Sequence, residues 1–425
     1  MIDPWPAPVA ETPIAATVSL PGSKSLTNRE LILSAIADAP SVVRRALRSR
    51  DTTLMASALS RLGTDIDSSD KDWTVTPHPQ RGGIAIDCGL AGTVMRFVPP
   101  VAALAQGAAH FDGDPHARTR PMAEVLTGLR DLGVQIAGGP TLPFTVHGRG
   151  SVRGGTVVID ASASSQFVSA LLLAGARYDH GVDVRHDGKP LPSLPHIEMT
   201  VACLRARGVL VETDANRWRV YPGPIQGRDV VIEPDLSNAA PFLILAMISG
   251  GSVVVLDWPR QTTQAGDHLR DLLSQIGAQI DFVDDGLRVS AGTGIHGLDV
   301  DLHDHGELTP AVAALCALAD SPSRIRGVAH IRGHETDRLA ALARELTNLG
   351  ADVHETDDGL IIRPATLHGG VFATYADHRM AHAGLILGAA VRGVAVENVA
   401  TTAKTFPDFA TVWADLITGG DSAAV

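Results

Sequence analysis

Apolar positions along this 425-residue chain fall into two recurring shapes. The first is a short polar or glycine-bearing segment that opens directly into an apolar run of helical length. It occurs as GSKSLTNRELILSAIA from Gly22, GLAGTVMRFVPPVAALA from Gly89, SASSQFVSALLLA from Ser162, DLSNAAPFLILAM from Asp235, DHGELTPAVAALCALA from Asp304 and YADHRMAHAGLILGAA from Tyr375. Runs that are apolar on nearly every side predict buried helices. The second shape follows each of the first five. It is a one-sided amphipathic run that ends in Gly63, Gly133, Gly208, Gly277 or Gly350 and then turns into a strand start. One-sidedness predicts a solvent-facing helix, and a glycine just past the last turn suits a left-handed cap. The sixth unit ends in FPDFATVWADLI.

Short β-branched runs lie between these helices, as VVID at 157–160, DVVIE at 229–233, SVVVLD at 252–257 and VAVEN at 394–398. Each unit therefore reads as strands interleaved with two helices, repeating about every 70 residues, longer than the usual solenoid period. Six such units predict an internally symmetric α/β protein of two domains with three units each. The most lipid-like stretch, Ala239 to Leu256, is interrupted by Ser249, Gly250, Gly251 and Ser252 and reads as a buried helix, a turn and a strand. The opening MIDPWPAPVAETPIAAT is neither basic nor continuously apolar, so no signal peptide is expected and the cytoplasm is the expected location.

Composition narrows the function. At 45% apolar residues the chain can fill real cores, while 4% aromatics leaves Ala, Val and Leu to fill them and argues against a base-stacking platform. A net charge of -12 argues against nucleic acid as a partner, so any anion site must be built locally from a few aimed cations. Cys88, Cys203 and Cys316 lie far apart in or near apolar stretches without a CxxC, which predicts buried thiols and no zinc or redox site.

The polar segments before the apolar helices carry unusual residues. They are Lys24, Ser25 and Arg29; Gly92, Thr93 and Arg96; Ser164, Ser165 and Gln166; Glu307; and Asp377, His378 and Arg379. A helix start offers free N–H groups and the positive end of the dipole, so several starts facing one way would make an anion-attracting face. Ser, Thr, Asp and Gly are also ordinary caps, and HETDR at 334–338 could be a salt-bridged helix start. Arg29 and Arg96 are harder to read as structural, because a guanidinium inside an apolar helix calls for an anion. PGSKS lacks the Walker A spacing, and no GxGxxG opening a βαβ unit, HExxH or GxSxG occurs, so nicotinamide, zinc-hydrolase and α/β-hydrolase chemistry lose their usual supports.

Taken together, PGSKSLTNR at 21–29, AGTVMR at 91–96, RP at 120–121, SSQF at 164–167, HETDR at 334–338, DHRM at 377–380 and KTFPDF at 404–409 resemble the family of 3-phosphoshikimate 1-carboxyvinyltransferases, or EPSP synthases. These motifs run in order along nearly the whole chain. GELTP at 306–310 is similar to the actinobacterial-type acidic loop of the family. The resemblance implies a two-domain, inverted α/β barrel-like fold of six βαβαββ repeats, three per domain. Residues 1–20 with 235–425 would form one discontinuous domain and 21–234 the other, with the active site in the interdomain cleft. It also implies a cytoplasmic monomer that needs no cofactor or metal and binds neither nucleic acid nor membrane.

The resemblance implies a role for each matching residue. Lys24, Ser25, Arg29, Ser164, Ser165, Gln166, Ser193, Glu307, His330 and His334 would bind shikimate 3-phosphate. Lys24, Gly92, Arg120, Gln166, Arg338, Arg379 and Lys404 would surround phosphoenolpyruvate. Glu307 would take the 5-hydroxyl proton, Glu335 would serve proton transfer at the methylene carbon, and Lys24 would complete the catalytic set. The intact Gly92 implies sensitivity to glyphosate. Leu90, His196 and Phe97 depart from residues common in the family, without removing a charge from this set. A UDP-N-acetylglucosamine enolpyruvyl transferase remains the nearest alternative. That family commonly carries a cysteine where Pro115 stands here. A non-catalytic nucleotide or RNA-end binder on a similar repeat is the alternative of another class, and the acidic charge argues against it.

Overall fold

A computed structural model describes residues 3–419. Residues 1–2 and 420–425, the outermost ends of the expected discontinuous domain, lie outside the described residues. Its helices are α1 (Lys24–Ala35), α2 (Arg50–Leu62), α3 (Gly92–Ala102), α4 (Ala123–Asp131), α5 (Gln166–Gly175), α6 (Leu194–Ala206), α7 (Ala240–Ser249), α8 (Leu269–Ile276), α9 (Thr309–Cys316), α10 (Arg338–Asn348), α11 (His378–Ala390) and α12 (Phe409–Thr418). The chain divides into two compact units. One is Gly22–Ile232, and the other joins the residues up to Pro21 to those from Glu233 onward.

In the unit formed by Gly22–Ile232, the apolar runs become α1, α3 and α5, and these three helices touch one another. Every residue of α3 is buried, and only Gln166 of α5 is not. The starts of the three helices are tied together by side chains. Asn28 donates to Thr93 Oγ1 at 2.9 Å, Arg29 reaches Ser169 at 3.4 Å, and Arg96 donates to Gln166 Oε1 at 2.7 Å. Fully buried Leu31, Leu171 and Leu172 belong to the core between them, each contributing about 1.5–3 kcal/mol by its burial. The amphipathic runs become α2, α4 and α6, which retain exposed positions.

In the other unit α7, α9 and α11 form the same kind of mutually touching group. Here the scarce aromatics gather: Phe242, Phe406, Phe409 and Trp413 stack or tilt against one another within 6.0 Å between centroids. The starts converge on Ser237, just before α7. Its carbonyl accepts from Arg379 at 2.7 Å, and its hydroxyl lies 3.5 Å from Glu307 Oε1. The acidic residue stands in a 3-10 segment, His303–Leu308, ahead of α9 rather than inside the helix.

Five four-stranded sheets and one three-stranded sheet surround these helices among the described residues. Each four-stranded sheet pairs two parallel strands and then adds an antiparallel hairpin; Ile84–Asp87, Gln106–Asp112, Phe144–Arg149 and Gln135–Gly138 show the order. Two strands change places relative to a simple linear repeat. Ala15–Val18, which directly precedes α1 in the chain, pairs in parallel with Ser252–Leu256, and both strands belong to the unit that joins the residues up to Pro21 to those from Glu233 onward. The strand parallel to Ser41–Arg44 is Asp229–Val231, from the far end of its own unit. The five glycines that end the amphipathic runs all have positive φ, from 80° at Gly208 to 121° at Gly277, a conformation that costs a side chain about 1–2 kcal/mol. No helix among the described residues is long and apolar enough to cross a membrane.

Candidate active site

The cations predicted in the Gly22–Ile232 unit lie at the tied starts of α1, α3 and α5. Arg29 is buried beneath the start of α6. It donates to Thr200 Oγ1 at 2.7 Å, to the carbonyls of Ser25 at 3.0 Å and His196 at 2.9 Å, and to Ser169 Oγ at 3.4 Å. All four acceptors are uncharged, and burial lowers its pKa to about 10. Phe97, a departure from the family pattern, packs against this guanidinium, 5.2 Å from Arg29 Cζ to the ring centre. Arg96 repeats the arrangement over Phe167 at 5.2 Å while donating to the Gln166 amide oxygen and, at 3.4 Å, to the carbonyl of Pro121.

Gly92 opens α3 directly against these groups. A Cβ there would sit 2.9 and 3.0 Å from the two terminal nitrogens of Arg120 and 3.2 Å from Arg96 Nη1. Arg120 donates to the Leu90 carbonyl at 3.1 Å, and its buried Nε has no protein partner. Lys24 stands at the first turn of α1, 3.6 Å from Asp51 Oδ2 of α2. Ser164 Oγ accepts from the Gln166 N–H at 3.3 Å, and Ser165 is buried at the start of α5. Ser193 precedes α6 in the left-handed conformation, with φ 56°. The helix starts thus bring Gly92, Arg120 and Gln166 together, and Ser25 with Arg29.

In the other unit Arg338 and Lys404 have acidic partners. Arg338, at the first position of α10, donates through Nε and Nη2 to Asp377 at 2.8 and 3.1 Å. It also donates to Glu335 Oε2 at 2.9 Å, and His334 Nδ1 lies 2.9 Å from its Nη1. Lys404 donates to the second oxygen of Glu335 at 2.6 Å. Burial opposes the charge on Arg338, but Asp377 and Glu335 outweigh it and push its pKa up. Arg379 is pushed down, chiefly by burial, against the pull of Asp235 and Glu307. His330 packs edge-on to His303 and His334, and a Cβ on Gly306 would meet its Nε2 at 2.5 Å. Burial first, then His303, lowers the His330 pKa to about 4, so the ring is neutral near pH 7. Glu335, Lys404, Arg338 and His334 form one connected cluster. Arg379 and Glu307 meet at Ser237.

Three contributors carry no predicted role: Asp51, Ser237 and Asp377. Asp377 lies within the DHRM motif as the cap of α11, accepting the Arg379 N–H at 2.8 Å, and an ordinary capping residue gives no local sign of a second partner. Asp51 meets Lys24 only through the packing of α2 on α1. Among the described residues no group of His, Cys, Asp and Glu is arranged to hold a metal ion.

Comparison with known proteins agrees with this architecture. Residues 9–413 match the family described as EPSP synthase (3-phosphoshikimate 1-carboxyvinyltransferase). The 3-phosphoshikimate 1-carboxyvinyltransferase of Kocuria rhizophila is 55% identical over 430 aligned positions, covering 98% of this chain and 97% of the relative. In structure the chain is similar to EPSP synthase from Acinetobacter baumannii, with a TM-score of 0.81, 24% identity and coverage of 96% and 97%. It is also similar to the enolpyruvyl transferase NikO from Streptomyces tendae, with a TM-score of 0.77, 18% identity and coverage of 98% of each chain. The chain belongs to the EPSP synthase family and transfers the enolpyruvyl group of phosphoenolpyruvate to shikimate 3-phosphate, on the route to chorismate and the aromatic amino acids.

Proposed function

We propose that the anion-binding groups of both units serve one reaction, with the roles that the family resemblance assigns. Ser25, Arg29, Ser164, Ser165, Ser193, His330 and His334 hold shikimate 3-phosphate. Gly92, Arg120, Arg338, Arg379 and Lys404 surround phosphoenolpyruvate, with Lys24 and Gln166 between the two substrates. Five sheets that add an antiparallel hairpin to a parallel pair, and a sixth that keeps a parallel pair, support six βαβαββ copies, three in each unit. As in the family, the enzyme works as a cytoplasmic monomer and is inhibited by glyphosate.

The observation that carries the proton assignment is the position of Glu335. Its two oxygens span Lys404 and Arg338, at 2.6 and 2.9 Å. An incoming carboxylate or phosphate shares those donors, which brings phosphoenolpyruvate against a carboxylate able to exchange a proton with its methylene carbon. Protonation of that carbon lets the 5-hydroxyl of shikimate 3-phosphate add at the adjacent carbon, while Glu307 takes the hydroxyl proton. The tetrahedral adduct then loses phosphate as a proton leaves the methyl carbon, giving the enol ether. Lys404, Arg338, Arg379 and Arg120 balance the charge as it moves from carboxylate to departing phosphate.

Phosphate release in the presence of phosphoenolpyruvate and shikimate 3-phosphate tests the reading. Release is expected with this acceptor and not with UDP-N-acetylglucosamine; the reverse preference overturns it.

A further inference from the structure

The parallel strands Gly155–Ile159 and Val182–His186 end side by side, with Ile159 opposite His186. From this end the chain leaves twice. Residues 160–165 carry Ser164 and Ser165 to the start of α5, and residues 187–193 carry Ser193 to the start of α6. His186, only 8% exposed, is held by both loops. Its Nδ1 faces the Ala161 N–H at 3.1 Å, and its Nε2 lies 2.7 Å from the Lys189 carbonyl. A carbonyl can only accept, so Nε2 carries the hydrogen and Nδ1 is the bare acceptor. The neutral ring therefore ties a donor of one loop to an acceptor of the other.

A second tie lies beside it. Ser162 Oγ is within hydrogen-bond reach of Asp160 Oδ1 and lies 3.0 Å from the Lys189 carbonyl; its single hydrogen serves one of them at a time. Hydrogen bonds from the Ser162 side chain and backbone hold the Asp160 carboxyl below the usual carboxylate range. Gly188 lets the loops close on each other, because a Cβ there would stand 2.2 Å from Asp160 Oδ1 and 2.6 Å from Ser162 Oγ.

We propose that His186, with Gly188 beside it, is a positioning residue that sets the spacing of the serine-bearing loops and thereby favours a phosphorylated acceptor. The proposal rests on the reading in which Ser164, Ser165 and Ser193 hold the 3-phosphate. Several donors on two loops grip one phosphate well only when their separation is fixed in advance. His186 does this without touching substrate.

The test compares His186→Ala, His186→Asn, Gly188→Ala and Ser165→Ala in the full-length enzyme. Steady-state constants, thermal stability, and equilibrium binding of shikimate 3-phosphate and of unphosphorylated shikimate are measured for each. His186→Ala and Gly188→Ala are expected to raise KM for shikimate 3-phosphate by about tenfold, with KM for phosphoenolpyruvate changed less than about twofold. Shikimate binding should be nearly unchanged. His186→Asn, whose amide oxygen can replace Nδ1 as acceptor for Ala161, should recover most of the loss. An equal loss of shikimate and shikimate 3-phosphate binding, or no loss in either clasp variant while Ser165→Ala weakens shikimate 3-phosphate, overturns the clasp. If Ser165→Ala also leaves shikimate 3-phosphate binding intact, the serine assignment has failed and the clasp falls with it.

Discussion

Arg29, Arg96 and Arg120 in one unit and Arg338 with Lys404 in the other are held in different ways, although each unit also has a cation of the opposite kind: Arg207 pairs with Glu30 in Gly22–Ile232, and Arg379 donates to the Ser237 carbonyl. In Gly22–Ile232, Arg29 donates to hydroxyls and carbonyls, Arg96 donates to an amide oxygen and a carbonyl, and Arg120 donates to a carbonyl. In the other unit Arg338 and Lys404 grip Glu335, and Arg338 also grips Asp377. Neutral oxygens orient a guanidinium without cancelling its charge, so the first arrangement suits an anion that must be held. Carboxylates cancel the charge and add groups that can move protons, so the second suits the place where bonds change.

The sharpest break of this contrast is Glu335→Gln. It keeps the size of the side chain but removes the carboxylate that we propose moves the proton, and is expected to lower kcat by about 10²–10⁴ while shikimate 3-phosphate still binds. Single-turnover phosphate release together with equilibrium titration checks both halves. Next comes a pair of stability measurements. Arg338→Met leaves Asp377 fully buried without its bidentate partner and is expected to cost about 3–5 kcal/mol in denaturant unfolding. Arg29→Met strands no carboxylate but removes the donor to four neutral acceptors, and should cost only about 1–3 kcal/mol while abolishing tight shikimate 3-phosphate binding. Equal stability losses would erase the contrast.

A smaller effect concerns pH. His330 titrates near 4 in the folded chain and near 6.5 when unfolded, so the unfolded state takes up its proton first on acidification. Its contribution is intact above 6.5, falls as pH drops from 6.5 to about 4, and changes no further below that; the full span is on the order of 3 kcal/mol. Melting temperature against pH should flatten across that window in His330→Asn. The smallest is Gly92→Ala. The added methyl must move the Arg120 guanidinium, and about a tenfold rise in both KM for phosphoenolpyruvate and the glyphosate inhibition constant is expected. Unchanged inhibition would remove Gly92 from the site.

The helices were legible because an apolar run and a one-sided run are local patterns, and each recurs. The cations were legible because Arg29 and Arg96 interrupt runs that otherwise shed charge. What balances or orients those cations was less so. Asp377 is disguised as a cap, and His186 as the last residue of a strand. Asp51 meets Lys24 only once α2 packs on α1. Nothing in AATV itself names Ser252–Leu256 as its parallel partner, although the family resemblance groups residues 1–20 with 235–425.

That exchanged strand has a consequence for the growing chain. Ala15–Val18 leaves the ribosome well before its partner, which follows roughly 230 residues later, some ten to fifty seconds at ordinary rates of translation. Gly22–Ile232 can complete its own sheets in that interval, because Asp229–Val231 closes the last of them. Ala15–Val18 is thus seated only after Gly22–Ile232 has been made, and until then its exposed edge is a natural target for a chaperone that holds extended segments.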